Sequence, residues 1–130
     1  MNKVFLGGTT ANTTWRDELI PLLEVDYYNP VVTVWNHDCV VEENKQKEEC
    51  NIHLYVINSR MRGIYSIAEM IESSMRGDKK VIISLDDHGF TGAMILSFNE
   101  VLKMAARYGA SVHRNISMKE LAKEINGNLK

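Results

Sequence analysis

The stretch that decides the fold runs from Ile52 to Met75 and reads I-H-L-Y-V-I-N-S-R-M-R-G-I-Y-S-I-A-E-M-I-E-S-S-M. Its first six residues are mostly apolar and do not alternate with polar ones, which predicts a central strand covered on both faces. A short loop containing Gly63 follows, and helical spacing begins at Ile64. The stretch therefore predicts a strand, a loop and a helix, and in an open α/β sheet such a junction is where ligands bind.

The helix of this stretch has one apolar and one polar side. At 100° per residue the apolar arc contains Ile64, Ile67, Ala68, Ile71 and Met75. The polar side contains Tyr65, Glu69, Glu72 and Arg76. A carboxylate such as Glu69, about one and a half turns into the helix, could be a nucleophile or a general base. Helical geometry alone favours a solvated surface charge instead, as in an i, i+4 ion pair between Glu72 and Arg76.

Further strands and helices flank this unit on both sides. Apolar runs predict four more strands, in Lys3 to Leu6, Val25 to Trp35, Lys79 to Leu85 and Ala110 to His113. The second of these segments is predicted to hold a strand and its exit loop, with Pro30 at a bend or edge. A Thr14/Asp17 cap predicts a first helix, which Pro21 should shorten, and Glu42 to Glu49 is predicted to be a solvated helix or loop. Helical spacing predicts a helix over Ile95 to Tyr108 that stops at Gly109. A Ser117/Glu120 cap predicts the last helix. Five strands alternating with helices predict an α/β single domain with a parallel, flavodoxin-like or Rossmann-like three-layer fold. That fold does not by itself name a function.

Length and composition indicate one globular domain. The chain has 130 residues, of which 45% are hydrophobic and 25% charged, as is typical of a folded domain. A net charge of -2 argues against a general nucleic-acid binder, and no apolar run is long enough to cross a membrane. The first strand starts too early to leave room for a signal peptide. Because Cys39 and Cys50 lack metal-site spacing, we expect reduced thiols and a cytoplasmic location.

Other polar segments are candidate sites, each with a structural alternative. The loop from Gly7 to Thr10 would let a phosphate or sugar approach the backbone, although a plain strand-to-helix turn explains it as well. The run from His37 to Cys39 resembles a set of metal ligands, but adjacent residues rarely converge on one ion, so we expect no metal. The loop from Asp86 to Gly92 pairs acids with a histidine, although turn chemistry alone selects Asp and Gly. His53 is predicted to be a core or edge histidine.

Five segments, taken in order, resemble a known family. They are K-V-F-L-G-G-T-T from Lys3, W-R-D-E-L from Trp15, Y-Y-N-P-V-V from Tyr27, C-N-I-H-L-Y-V-I-N from Cys50 and G-I-Y-S-I-A-E-M from Gly63. Their order and spacing, more than any single segment, are similar to the nucleoside 2-deoxyribosyltransferase-like proteins over roughly Lys3 to Val81. The resemblance implies a Rossmann-like fold and cleavage of the N-glycosidic bond of a nucleoside or nucleotide.

The resemblance also implies a catalytic residue and a pocket. In that family a glutamate early in the helix after the third strand attacks the anomeric carbon of deoxyribose, and a second base or water resolves the ester. Glu69 matches this nucleophile, and forming then breaking one covalent bond retains configuration. The implied substrate-binding residues are Gly7, Gly8, Thr9, Thr10, Asn29, Pro30, Asn58, Arg60, Arg62, Gly63 and Tyr65. We expect no cofactor. Because such transferases complete the pocket from a neighbouring subunit, we expect a homo-oligomer, at least a dimer, with the contribution falling within Asp86 to Asn99.

The chain departs from the family pattern next to the implied nucleophile. Asn51 stands where members often carry aspartate, and Arg60 and Arg62 stand where transferases keep acids. Arginine suits a phosphate better than a nucleobase, which favours a nucleotide as ligand. A second hypothesis is therefore a binding module that senses or sequesters a nucleotide without turnover. A third is a flavodoxin-like electron carrier or a receiver, although the first strand lacks the acidic cluster that a receiver uses.

Overall fold

Strands and helices alternate along the chain in the computed structural model, which describes residues 1–32 and 34–127. The strands are β1 (Lys3–Gly8), β2 (Asp26–Tyr28), β3 (Ile52–Ile57), β4 (Lys80–Leu85) and β5 (Ser111–Arg114). The helices are α1 (Trp15–Leu19), α2 (His37–Glu49), α3 (Tyr65–Arg76), α4 (Gly92–Arg107) and α5 (Met118–Gly127), with a 3₁₀ turn at Ile20–Leu22. The strand pairs are parallel, and the sheet order is β2-β1-β3-β4-β5. This arrangement confirms the predicted flavodoxin-like fold.

Apolar residues cover both faces of the sheet. One face packs against α1 and α5, through the cluster Val4, Leu6, Trp15, Leu19, Ile52, Leu54, Val56, Ile82, Leu121, Ala122 and Ile125. The other packs against α3 and α4, through the cluster Phe5, Cys50, Tyr55, Ile57, Met70, Val81, Ile83, Leu85, Phe98, Leu102 and Ala105. Because β3 contributes alternate residues to both clusters, its lack of polar alternation follows from burial on both faces, as predicted.

The second strand takes up only the first part of the segment from Val25 to Trp35, and the chain leaves the sheet at Pro30, as predicted for a strand and its exit loop. β2 ends at Tyr28, and the rest of the predicted segment leaves the sheet at Asn29 and Pro30. Proline has no backbone N–H to donate to a neighbouring strand, and β2 is an edge strand, so the pairing stops there. Thr33, within the predicted segment, lies outside the described residues. The apolar side chains that follow Pro30 are then free to line a cavity.

The residues predicted to cap, shorten or stop the helices do so, with one exception. Gly109 has a positive φ of 96° just after α4, and the Ser117 hydroxyl accepts a hydrogen bond from the Glu120 N–H at 3.1 Å. The helix before Pro21 is short and gives way to the 3₁₀ turn, as predicted. The predicted Thr14 cap is wrong, since its side chain caps no backbone N–H of α1. Within residues 1–32 and 34–127, none of the helices is long and apolar enough to span a membrane.

The sheet order creates a crevice at the carboxyl end of β1. The chain leaves β1 toward β2 on one side, whereas β3 pairs with β1 on the other. Connections that diverge in this way leave a gap between the loops that follow the two strands. The loops after β1 and β3, together with the start of α3, therefore surround one cavity.

Candidate active site between β1 and β3

The end of β1 approaches the end of β3 too closely for any side chain at Gly8. Gly8 has a φ of 113°, and a Cβ there would lie 2.1 Å from the Val56 carbonyl oxygen. The Thr9 N–H donates to the same carbonyl at 2.9 Å, and the Thr9 hydroxyl accepts from the Asn58 N–H at 3.2 Å. Only glycine tolerates this conformation and contact together.

A buried arginine holds this loop from behind. Arg16 donates from Nε and Nη2 to the Leu6 carbonyl, at 3.1 and 2.8 Å, and from Nη1 to the Thr9 carbonyl at 2.8 Å. The Trp15 indole also donates to the Thr9 carbonyl, at 3.0 Å. Burial lowers the pKa of Arg16 to about 10, so the guanidinium remains charged at neutral pH. The loop is thus rigid before any ligand arrives.

The cavity has a volume of about 340 Å³, enough for a small ligand. It is lined by Phe5, Gly7, Gly8, Thr9, Thr10, Ala11, Pro30, Val31, Val32, Trp35, Glu43, Ile57, Met61, Arg62, Gly63, Tyr65, Ser66 and Glu69. Trp35 and Tyr65 meet edge to face with ring centroids 6.3 Å apart, and both are exposed. The cavity therefore combines a polar backbone loop, two carboxylates, one arginine and an aromatic wall.

The structure brings most of the sequence-predicted site residues to this cavity. Those that line it are Gly7, Gly8, Thr9, Thr10, Pro30, Arg62, Gly63, Tyr65 and Glu69. Asn29, Asn58 and Arg60 are not among the lining residues. The Asn29 side chain accepts from the Val31 N–H, and Asn58 donates to the Thr13 hydroxyl and accepts from the Arg60 N–H. These two asparagines hold loops in place instead of facing the cavity.

Glu69 is buried, which overturns its interpretation as a solvated surface charge. Its carboxylate Oε2 lies 2.8 Å from Nζ of Lys47 on α2, and both side chains are only 7% exposed. None of the hydrogen bonds among the described residues uses the second oxygen, Oε1. Since Glu69 lines the cavity and Lys47 does not, the lysine approaches from the protein side and leaves one carboxylate oxygen for a ligand.

The polar side of α3 is partly buried, while its apolar arc is buried only in part, because Ile67 and Ile71 pack against the core. Its buried residues are Glu69, Met70, Ser73 and Ser74, whereas Ile64 and Met75 are 79% and 57% exposed. The predicted Glu72–Arg76 pair is wrong, because Arg76 binds Glu48 at 2.7 Å and Asp78 at 2.9 Å. Small serines on the inner face allow α3 to lie close to β3 and α2, which brings Glu69 inward.

Glu43 is a functional candidate that the sequence analysis missed. The segment from Glu42 to Glu49 is helical but not fully solvated, because Glu43 and Lys47 are buried one turn apart on α2. Burial raises the pKa of the Glu43 carboxyl, and the negative charge of Glu69 raises it further. Three other interactions lower this pKa. They are the positive charge of Lys47, a hydrogen bond from Trp35 and the positive charge of Arg16. Cys39 and Glu43 lie on one face of α2, and Cys50, which directly follows the helix, continues the same spacing. Because a cysteine is commonly buried, this spacing was the available sign that Glu43 is buried too.

A neutral histidine connects the two helices that carry these groups. His53 is fully buried, as predicted for a core position. Its Nε2 lies 2.8 Å from the Lys47 carbonyl, and its Nδ1 lies 2.9 Å from the Ser73 hydroxyl, which also bonds the Tyr55 hydroxyl at 2.7 Å. A carbonyl only accepts, so Nε2 carries the proton and Nδ1 accepts from Ser73. Burial lowers the pKa of His53 to about 4, outweighing the hydrogen bond to Lys47.

The two other polar candidates lie apart from this cavity. Asp86, Asp87 and His88 offer ligand atoms within 4.8 Å of one another, whereas the run from His37 to Cys39 forms no such group among the described residues. His88 already pairs with Asp86 at 2.7 Å, and Asp87 pairs with Arg114 at 3.1 Å. The loop-tip interpretation therefore fits this segment better than an acid-base site.

Comparison with known proteins agrees with the geometry of the cavity. The family model described as nucleoside 2-deoxyribosyltransferase like matches residues 1–88, which include β1, β3, α3 and every lining residue of the cavity. A search of curated proteins and a search of solved structures each gave no match. The match covers more than half of the chain, and the chain belongs to the nucleoside 2-deoxyribosyltransferase-like family.

Proposed function

We propose that the protein cleaves or transfers the 2-deoxyribosyl group of a nucleoside or nucleotide through a covalent ester on Glu69. The observation that carries this proposal is the position of Glu69 in the cavity, with Lys47 at 2.8 Å from one carboxylate oxygen and the other oxygen without a protein partner. A carboxylate held in this way has a fixed orientation toward the cavity, as a nucleophile must have. Membership of the family supports the same class of substrate.

In the first half-reaction, Glu69 Oε1 attacks the anomeric carbon of the sugar. A carbon–oxygen ester bond forms, the N-glycosidic bond breaks, and its electron pair goes to the departing base. The base leaves more easily if it gains a proton, and Glu43 is the cavity residue whose raised pKa suits proton donation. Two carboxyl groups with different surroundings then divide the roles of nucleophile and acid.

In the second half-reaction, water or an acceptor base attacks the same carbon. Glu43, now a carboxylate, takes the proton of the attacking group, while the ester bond breaks and Glu69 returns to its ionised form. Water yields hydrolysis and a second base yields transfer. Two displacements on opposite faces retain the configuration at the anomeric carbon.

The rest of the cavity suits the other parts of a nucleotide. Trp35 and Tyr65 offer flat apolar surfaces for the base. The backbone from Gly7 to Thr10 accommodates the sugar or phosphate at close range. Arg62, which lines the cavity, provides a partner for a 5′-phosphate. We therefore favour a deoxynucleoside 5′-monophosphate over the free nucleoside.

A non-catalytic binding module is the second candidate. Arg62 in the cavity favours it, because an arginine binds phosphate equally well in a protein that performs no chemistry. Such a protein would release an unchanged nucleotide when denatured.

We also propose a homo-oligomer and a cytoplasmic location. An apolar groove lies between α3 and α4, lined by Met61, Ile64, Ile67, Ala68, Ile71, Glu72, Met75, Arg76, Met94, Ser97, Phe98 and Val101. Met61 lines both this groove and the cavity, so a second copy seated in the groove would adjoin the substrate. The free thiols of Cys39 and Cys50 suit a reducing compartment.

A screen for base release tests the proposed chemistry. Deoxynucleosides and their 5′-monophosphates are incubated with the wild type, Glu69→Gln, Glu69→Ala and the control Glu72→Gln, and free base is followed by chromatography. We expect turnover to fall by about 10³-fold or more in both Glu69 variants, as for other nucleophiles, and to persist in Glu72→Gln. Mass spectrometry of the wild type with substrate should detect a sugar-sized adduct on the peptide containing Glu69. Full activity of Glu69→Ala would refute the covalent mechanism.

A further inference from the structure

Lys47 contacts one carboxylate of the cavity and shares a helix with the other. Its ammonium contacts Glu69 on α3 at 2.8 Å, and its own helix carries Glu43 one turn earlier. All three side chains are buried. A buried ammonium is costly unless it is paired, and its removal would leave Glu69 as an uncompensated buried charge.

We propose that Lys47 is a positioning residue that fixes the carboxylate of Glu69 and lets the charge on Glu69 control the proton on Glu43. This inference rests on the proposed function for its catalytic meaning, but the electrostatic coupling can be measured without turnover. Lys47 does not line the cavity, so it acts through the two carboxylates and does not touch the substrate.

The coupling follows from the charges within the cluster. Before reaction, the negative charge of Glu69 helps to raise the pKa of Glu43, while Lys47 opposes this effect. Formation of the ester makes Glu69 neutral, which removes the negative charge and leaves the Lys47 ammonium without its nearest anion. Both changes favour ionisation of Glu43 at the moment when the departing base needs a proton. Hydrolysis of the ester restores the charge on Glu69 and the proton on Glu43.

The other groups around Glu43 do not change charge in this cycle. Arg16 on α1 is held by backbone carbonyls, the Trp35 indole is neutral, and Tyr28 on β2 has a pKa that burial and the charge of Glu42 raise. Tyr65 on α3 presents its ring at 5.8 Å from the Lys47 ammonium, and Arg62, which also lines the cavity, is a cation throughout. Glu69 is thus the neighbour of Glu43 whose charge the proposed reaction alters.

Lys47 is held at its backbone carbonyl by His53 and at its ammonium by Glu69. His53 donates to its backbone carbonyl, and the same histidine accepts from Ser73, one turn beyond Glu69 on α3. The distance between the ammonium and the carboxylate therefore depends on a continuous set of buried hydrogen bonds. A longer or shorter side chain at position 47 would disturb the alignment that an attack at the anomeric carbon requires.

Titration of Glu43 tests the coupling independently of any substrate. The side-chain carboxyl of Glu43 is followed by ¹³C NMR, with its signal assigned from Glu43→Gln, in the wild type, Glu69→Gln and Lys47→Met. Glu69→Gln imitates the neutral ester, and we expect the Glu43 pKa to fall by about one unit or more. In Lys47→Met we expect it to rise by a similar amount. The control Lys45→Met, an exposed lysine of the same helix, should leave it unchanged. An unchanged Glu43 titration in Glu69→Gln would overturn the proposal.

Kinetics with a substrate from the base-release screen test the positioning role. We expect Lys47→Met to lower kcat by about 10²-fold with little change in KM, and Lys47→Arg to recover part of the loss because it keeps the charge. The basic limb of the pH profile, which the proposed acid Glu43 sets, should move to higher pH in Lys47→Met but not in Lys45→Met. Wild-type kcat and pH profile in a folded Lys47→Met would contradict the inference. If the wild type releases no base while the NMR coupling holds, the proposed function fails and the electrostatic coupling stands.

Discussion

Glu43 and Glu69 have the same side chain but different surroundings, and this difference suits them to different roles. Glu69 is held by the Lys47 ammonium at 2.8 Å, and its carboxylate faces the cavity, as the proposed nucleophile must. Glu43 is buried beside a second negative charge, and its pKa is raised. A pair of carboxyl groups whose environments differ in this way is a common arrangement for acid and nucleophile.

Because Glu43 is proposed to act as the proton donor, we expect its titration to set the high-pH limb of the pH profile. Activity needs Glu43 protonated, so kcat/KM should fall as the pH rises through the raised pKa of this carboxyl. Glu43→Gln keeps the size of the side chain but has no proton to transfer. We expect it to lose about 10²-fold or more in kcat for natural bases and to lose that basic limb.

Substrates with good leaving groups provide the matched measurement for Glu43→Gln. A base that departs without protonation depends less on the acid, so the variant should recover much of its activity with such a substrate. An equal loss for all leaving groups would show that Glu43 acts in binding or structure and not as the proton donor.

At the scale of secondary structure elements, His53 decides how α2 and α3 sit on the sheet. It belongs to β3, its Nε2 bonds a carbonyl of α2, and its Nδ1 bonds a serine of α3. Both contacts use the neutral imidazole. A proton on Nδ1 would remove the acceptor for Ser73 and bury a charge among apolar neighbours, so the packing of the two helices depends on the protonation state of one residue.

The lowered pKa of His53 predicts a stability change in mild acid. The unfolded chain protonates this histidine near pH 6.5, whereas the folded protein does so only near pH 4. Between these values the unfolded state binds more protons, so the free energy of unfolding falls as the pH drops, by up to about 3 kcal/mol. Urea unfolding at a series of pH values measures this loss, and NMR titration of the imidazole should give a pKa near 4.

A His53→Gln variant is the control for this stability change. Glutamine does not titrate, so the variant should lose this contribution to the slope between pH 6.5 and pH 4 even if it is less stable throughout. The same slope in the variant and the wild type would attribute the acid sensitivity to other groups.

At the scale of the whole molecule, the apolar arc of α3 lines a groove with α4, although Ile67 and Ile71 also pack against the core. Apolar patches of this kind on a protein surface commonly mark interfaces. The groove shares Met61 with the cavity, so assembly and substrate binding would involve neighbouring surfaces. Met94, Ser97 and Phe98 of α4 belong to the segment from which the resemblance implies a neighbouring subunit's contribution.

Charge placed in the groove should dissociate the oligomer. Ile64 and Met75 are exposed in the single chain, so Ile64→Glu and Met75→Glu should leave the fold intact while placing charges in an apolar interface. We expect light scattering to give an oligomer for the wild type and a monomer for the variants. Leu96→Glu, at an exposed apolar position of α4 outside the groove, should keep the wild-type mass. A monomeric wild type would contradict the proposed assembly.

The sequence by itself determined the parallel α/β fold, the junction after β3 and the glycine loop after β1, because these depend on local patterns of apolar residues and turn residues. It also indicated Glu69, through the order of the family's segments. It did not determine which face of α3 lies inward, and it missed Glu43 and Lys47. Side-chain pattern assigns an apolar arc to the interior, but only the tertiary structure decides which partner each face meets. In this protein Glu69 of α3 meets Lys47 of α2, and this buried ion pair lies beside the candidate cavity.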